Sequence, residues 1–282
     1  METHSVDAPT DISSLATRIV LAVYDYRFLT GVQVAELLSL APDEADDALE
    51  RLAEAGYLAG IRRPVLAEKT PDTVYALAQR GANLVASHTG IDRRAVRWRK
   101  YHNFVGLLYV EHRLAVNDFR IALTLGAGKL GHRVELWQYE VPIKEDVDDP
   151  DEHVPPLVYR PDAYARCAVG PRRLHLFLEM DMGTESHERF AKKIRRYLAY
   201  RESGLFKFRF GGRSFRVLTA APTGTRVKSL KRITESEGGQ RMFWFSTIRD
   251  CSTRLIVEPV WELAGERGPG ALLETSHEPR LW

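Results

Sequence analysis

The segment Leu174–Asp181 alternates as a strand does. Leu174, Leu176, Leu178 and Met180 share one face, and His175, Phe177, Glu179 and Asp181 share the other. Two carboxylates two residues apart on one face repel each other, and they are tolerable where water, a cation or a basic side chain compensates them. In the preceding strand Asp162, Tyr164 and Arg166 alternate with Ala163, Ala165 and Cys167. A short turn near Gly170-Pro171 joins the two strands, and such a hairpin can bring Asp162 beside Glu179 or Asp181. Clustered oxygen ligands of this kind suit Mg²⁺ or Mn²⁺, which would carry the developing charge of a phosphodiester and activate water. The same residues have a plainer use, in which Asp162 and Asp181 cap turns and helices. Asp181 stands just before a helix, where the dipole favours a carboxylate. Spacing leaves both uses open.

The helix that follows, residues 185–202, buries a stripe of Phe190, Ile194, Tyr197 and Leu198. Lys193 borders that stripe next to Tyr197 and can reach back toward the strand ends. Lys192, Arg195 and Arg196 point outward, as a solvated basic face or as contacts for a polyanion. Relaxase chemistry needs a pair of metal-binding histidines around one hydrophobic residue, with a nucleophilic tyrosine. His175 has no such partner, and core packing accounts for Tyr197 more simply.

Upstream, residues 12–29 predict a helix, 32–40 a short second helix, and 43–58 a third that begins after Pro42 and ends at Gly56. Two short strands and a helix from 79 to 88 complete the order of a winged helix-turn-helix over residues 1–90. Residues 91–100 (IDRRAVRWRK) predict a basic connector, and a long helix is expected from Tyr101 to about Ala127. Beyond it the order α-β-β-β-α-β, then a further helix and strand, indicates a mixed sheet flanked by helices over 101–263. The acidic segment 144–156 predicts an exposed loop, and 264–282 a flexible tail. The fold class expected is therefore α+β, a small helical module before a larger α/β domain.

At 282 residues, 44% hydrophobic and 28% charged, the chain has room for two domains with real cores and the balance of a soluble globular protein. No apolar run reaches the roughly 18 residues of a membrane span. The polar start METHSVDAPTD is not a secretory signal. Cys167 and Cys251 lack metal spacing and fit reduced, buried thiols of a cytoplasmic protein. The net charge of +2 hides an asymmetry: −6 over residues 1–90, +5 over 91–130, −5 over 131–160 and +10 over 161–250. Polyanion contacts are therefore expected at the wing (Arg62, Arg63, Lys69), the connector (Arg93, Arg94, Arg97, Arg99, Lys100) and the helix bearing Lys192, Arg195 and Arg196. The helix in the groove-reading position carries Asp43, Glu44, Asp46, Asp47 and Glu50, which phosphates would repel. It fits a partner protein or a second subunit better. Trp98 either stacks on a base or packs against the protein.

With these residues in view, the chain resembles the replication-relaxation family of bacterial plasmid and mobile-element proteins over roughly residues 12–220. The resemblance rests on the winged-helix start, EHRLAVNDFRIAL (111–123), RPDAY (160–164), and LEMDMGTES (178–186) followed by Lys193-Ile194 and Tyr197. It implies a C-terminal half like the PD-(D/E)XK nuclease fold, with Pro161-Asp162 as the PD step and Glu179 as the (D/E) position. The lysine two residues later is replaced by Asp181. Lys193 is then a candidate migrated lysine, and Glu140, at the end of the first strand, a candidate further ligand for Mg²⁺ or Mn²⁺. The implied role is DNA binding, mainly to duplex, in replication, relaxation or mobilisation, with replication or mobilisation proteins as partners. A metal-dependent nickase using Asp162, Glu179 and Asp181 is the alternative, and a catalytically inert nuclease fold serving regulation or assembly is the second.

Overall fold

The computed structural model describes residues 13–62, 73–96, 98–144, 158–252 and 255–274. The chain divides into two compact units, 1–117 and 118–282.

The N-terminal unit runs α1 (Ser14–Tyr26), β1 (Phe28–Thr30), α2 (Gly31–Leu38), α3 (Pro42–Glu54), β2 (Leu58–Arg62), β3 (Thr73–Leu77) and α4 (Gln79–Thr89). Local signals set these boundaries. The Ser13 hydroxyl accepts from the Ala16 N–H and caps α1, and a reciprocal Thr30–Gln33 capping box opens α2. Pro42 occupies the first turn of α3, and Gly56 turns the chain out of it at φ +74°. The strands pair antiparallel in the order β1-β3-β2, with helices packed on them as in a winged helix. A side chain on Gly81 would meet the Tyr57 carbonyl oxygen at 2.2 Å, so glycine lets α4 lie against the chain entering β2. The wing candidates Arg63 and Lys69, like Arg97 in the connector and the acidic segment expected as a loop, fall largely or wholly outside the described residues.

The compact unit extends past the expected connector because the next helix is anchored in it. That helix, α5, begins at Leu107 rather than Tyr101 and runs to Lys129, preceded by a 3₁₀ turn at Lys100–Asn103. Val110 and Leu114 of α5 pack on Phe28, Val74 and Ala76. Buried Asn117 donates to the carbonyls of Tyr26 (3.2 Å) and Phe28 (2.6 Å), and Gln33 donates to the Leu114 carbonyl at 3.0 Å. Val96 is buried too, and the Asn103 amide donates to the Leu77 carbonyl at 2.9 Å. Val96 and Asn103 thus tie this part of the chain to the winged helix.

The C-terminal unit contains β4 (Arg133–Tyr139), β5 (Ile143–Lys144), β6 (Val158–Tyr159), β7 (Ala163–Val169), β8 (Arg172–Met180), α6 (His187–Glu202), α7 (Leu205–Phe210), β9 (Arg216–Ala221), α8 (Gly224–Ser236), β10 (Phe243–Thr247), β11 (Trp261–Leu263) and β12 (Pro269–Gly270). Seven strands form one sheet in the order β12-β11-β10-β9-β8-β7-β4, and β5 pairs with β6 separately. Neighbours among β4, β7 and β8 are antiparallel, whereas β8, β9 and β10 are parallel, connected through α6 and α8. The fold class is α+β, a winged helix followed by a mixed sheet flanked by helices. Parallel neighbours end at the same sheet edge, so α6 and α8 both start from the edge where β8 and β9 finish.

Under the sheet lies an aromatic core that includes Tyr164, Phe177, Phe190, Tyr197, Phe215, Phe243 and Phe245. The tail expected from residue 264 is partly structured: β12 pairs with β11, and Ala264, Ala271, Leu272 and Leu273 are buried. Strands of three and two residues are too short to show a periodicity, which is why sequence did not reveal them. Both cysteines are free, and burial pushes each thiol up to about 12, so neither carries appreciable thiolate at neutral pH. No helix among the described residues is long and apolar enough to cross a membrane.

Replacing Asn117→Leu leaves the Tyr26 and Phe28 carbonyls without their donor. Denaturant unfolding is expected to show a loss of about 1–3 kcal/mol. A change below about 0.3 kcal/mol would mean that the amide ties the segments together to no effect.

Candidate functional site

The hairpin register pairs Ala163 with Leu178, which puts Asp162, one residue before β7, opposite Glu179. The Asp162 N–H donates to the Leu178 carbonyl (3.0 Å), and the Glu140 N–H to the Asp162 carbonyl (3.2 Å), so the three acidic positions lie across adjacent chains. Glu140 is exposed and bends out of β4 at φ +51°. Asp162 and Glu179 interact electrostatically, and Asp162 raises the Glu179 carboxyl.

Each carboxylate already has partners. Asp162 Oδ2 accepts from the Met180 N–H at 2.7 Å, which is the turn-capping use. Asp181 Oδ1 accepts from the Gly183 N–H at 2.9 Å, and its Oδ2 lies 2.6 Å from Nε of Arg226 in the first turn of α8. Arg226 also donates to the Glu185 carbonyl at 2.6 Å. Glu179 is the most enclosed. Its Oε1 accepts from the hydroxyls of Tyr159 and Tyr197, and its Oε2 stands 2.8 Å from Nζ of Lys193. That ammonium also reaches Glu185 Oε2 at 3.0 Å.

The electrostatics follow from burial. Desolvation pushes the Glu179 carboxyl above the usual range, with Lys193 pulling the other way. Burial alone would lower the Lys193 ammonium, but Glu179 and Glu185 outweigh it and hold the lysine charged. Burial, then the Glu179 charge, lifts both tyrosine hydroxyls well above their ordinary value, which keeps them protonated as donors.

This arrangement bears on the metal expectation. Both oxygens of Glu179 and both of Asp181 are engaged by protein donors, and the cation between Glu179 and Glu185 is Lys193 itself. Among the described residues no group of three or more His, Cys, Asp or Glu side chains could hold a metal ion. The residues as placed do not fit Mg²⁺ or Mn²⁺. Lys193 reaches back from the helix to Glu179 at the strand end. Sequence missed Arg226, Glu185 and Tyr159 as partners. The available signal was topological: both crossover helices start at the edge where β8 and β9 end, so a cation in their first two turns meets the carboxylates there.

The cationic candidates separate. Lys192 pairs with Glu188 at 2.8 Å and Arg195 with Glu237 at 2.7 Å, which partly neutralises the outer face of α6. Arg196 lies over the Tyr159 ring, and Arg93 bonds Asn83 and covers the Trp98 ring. That last contact covers one face of Trp98. Arg62, Arg94, Arg99 and Lys100 are exposed. On α3, Asp43, Glu44, Asp46, Asp47, Glu50 and Glu54 are all exposed, and Arg51 lies 3.8 Å from Asp47. His175 Nδ1 sits 2.6 Å from the Tyr164 hydroxyl inside the core, and burial, with Arg166 and Arg173, lowers its pKa.

The family model described as replication-relaxation matches residues 21–213. No curated protein matches the sequence. Among solved structures, RV1404 from Mycobacterium tuberculosis is similar at 18% identity and TM-score 0.25, over 35% of this chain and 63% of its own. The chain thus spans less than two thirds of that protein. ZitR of Lactococcus lactis is similar at 16% identity and TM-score 0.25, over 44% of this chain and 81% of its own. The restriction endonuclease FokI is similar at 9% identity and TM-score 0.33, over 84% of this chain and 42% of its own.

Lys193→Met leaves Glu179 buried without its cation and is expected to cost about 3–5 kcal/mol in denaturant unfolding. The double variant Lys193→Met/Glu179→Leu should recover part of that loss; if it is as unstable as the single variant, the pair is not coupled. His175 is depressed in the folded state, so its contribution is present above its ordinary value of about 6.5 and is lost as pH falls below it. Between pH 7.5 and pH 5 the melting temperature of His175→Gln should therefore fall less than that of the unaltered protein.

Proposed function

Because the chain belongs to the replication-relaxation family, we propose that it is a DNA-binding protein that serves replication or relaxation of a plasmid or mobile element by holding DNA rather than cutting it. The observation that carries the non-cutting part is the closed carboxylate cluster. Hydrolysis of a phosphodiester needs charge stabilisation aimed at the reacting phosphate. Here the cation nearest Glu179 is committed to that buried carboxylate and to half-buried Glu185, and Arg226 is committed to Asp181.

Holding DNA draws on exposed cations without a carboxylate partner among the described residues. Arg94, Arg99 and Lys100 supply them in the N-terminal unit, and Arg160, Arg213, Lys228 and Arg232 in the C-terminal unit. Lys228 and Arg232 stand one turn apart on α8, on the same side of the helix. The α3 face is repelled by phosphates, so duplex is held through backbone contacts and not by that helix in a groove. Its acidic surface suits a basic replication or mobilisation protein.

The test combines a gel-shift titration of a 30-bp duplex with a supercoiled-plasmid assay in Mg²⁺ and in Mn²⁺. Affinity is expected to fall roughly 10³-fold or more between 50 and 200 mM salt, and the plasmid is expected to stay supercoiled. Nicking by the unaltered protein that disappears in Asp162→Ala and Glu179→Gln would replace this function with that of a nickase.

A further inference from the structure

The segment between α4 and α5 carries an unusual combination. Tyr101 is 63% exposed, Phe104 76% and Leu108 84%. Around them Arg94, Arg99 and Lys100 are exposed, and no described carboxylate pairs with any of the three. We propose that this segment is a binding platform for single-stranded DNA, with Tyr101 and Phe104 stacking on unpaired bases and the flanking cations contacting phosphates. The inference rests on the chain being a DNA-binding protein and names a second form of DNA that it takes.

Three observations favour that occupant. Exposed aromatic faces offer nothing to a duplex, whose bases are stacked on each other, but each is worth a stacked base in a single strand. Three exposed cations, Arg94, Arg99 and Lys100, outnumber the exposed Asp92 in this segment, and the net positive charge complements a polyanion. A second copy of the chain docking symmetrically on the same patch would bring like cations together, which disfavours self-association. The platform is also held in shape before any ligand arrives. The Asn103 amide donates to the Leu77 carbonyl at 2.9 Å, and the Arg27 guanidinium donates to the His102 carbonyl at 3.3 Å. Beside it Trp98, His102 and Asn103 contribute to a cleft of about 270 Å³, and the buried Trp98 Nε1–H has no acceptor among the described residues.

The experiment is fluorescence anisotropy of the full chain with a labelled 20-nucleotide oligothymidylate and, separately, a labelled 20-bp duplex. Each variant's circular dichroism and melting temperature are checked against the unaltered protein. Tyr101→Ala/Phe104→Ala should weaken single-strand binding roughly 25-fold or more and duplex binding by less than about twofold. Arg99→Ser/Lys100→Ser should lower the salt slope of single-strand binding by about 1.4. Unchanged single-strand affinity in a folded Tyr101→Ala/Phe104→Ala variant overturns the platform while leaving duplex binding standing. A concentration-dependent dimer, seen in sedimentation and abolished by the same variant with single-strand affinity unchanged, overturns it in favour of a contact between copies. Absence of binding to either oligonucleotide overturns it together with the proposed function.

Discussion

A carboxylate buried beside an aromatic core loses its hydration, and the loss amounts to several kcal/mol unless protein groups replace the water. Glu179 is in that position, and the edge of the larger sheet is organised around its replacement partners. The parallel arrangement of β8 and β9 brings the start of α6 to the right place, and the second turn of α6 delivers Lys193. Tyr159 and Tyr197 close the other oxygen. The Asp181–Arg226 pair repeats the solution one strand-end further on, through α8. Each pair also pins a crossover helix to the sheet, so local charge balance and global topology are the same constraint.

That constraint bears on chemistry. A metal-dependent nuclease needs carboxylates exposed enough to exchange water for a metal ion and a phosphate. Here Glu179 and Asp181 are satisfied by protein cations and hydroxyls, and Lys193 is bound between Glu179 and Glu185. The scaffold keeps the layout while its charges are spent on holding the helices. Likewise the winged helix keeps its shape, yet exposed Asp and Glu along α3 make it a poor neighbour for phosphate. In both units, then, acidic side chains occupy the positions that the sequence first suggested for contact with DNA. The cationic and aromatic surface lies elsewhere, around residues 94–104.

Periodicity and caps made most elements legible: the third helix with Pro42 at its start and Gly56 after it, the alternation through Glu179, and the stripe of α6. Where they failed, the reasons are physical. The helix expected from Tyr101 starts at Leu107, because the chain first makes a 3₁₀ turn tied to β3 through Asn103. The ordered stretch after residue 264 was invisible because paired strands of two or three residues gain their stability from neighbours rather than from their own pattern. Cationic residues read from sequence as one outer face of α6 turned out differently employed, since Glu188 and Glu237 take Lys192 and Arg195.

By itself the sequence determined that Glu179 and Asp181 share a strand face, that a hairpin could carry Asp162 to them, and that Lys193 borders a buried stripe. Those are consequences of backbone period and turn length, which are local. Whether such a cluster binds metal or closes on itself depends on which donors arrive from chain segments tens of residues away. Arg226 comes 45 residues after Asp181, and Tyr159 comes 20 before Glu179. Only the tertiary structure brings those donors to the carboxylates. The carboxylates that look most like chemistry in the sequence are, once folded, the anions of a buried charge network, because burial made an internal cation necessary.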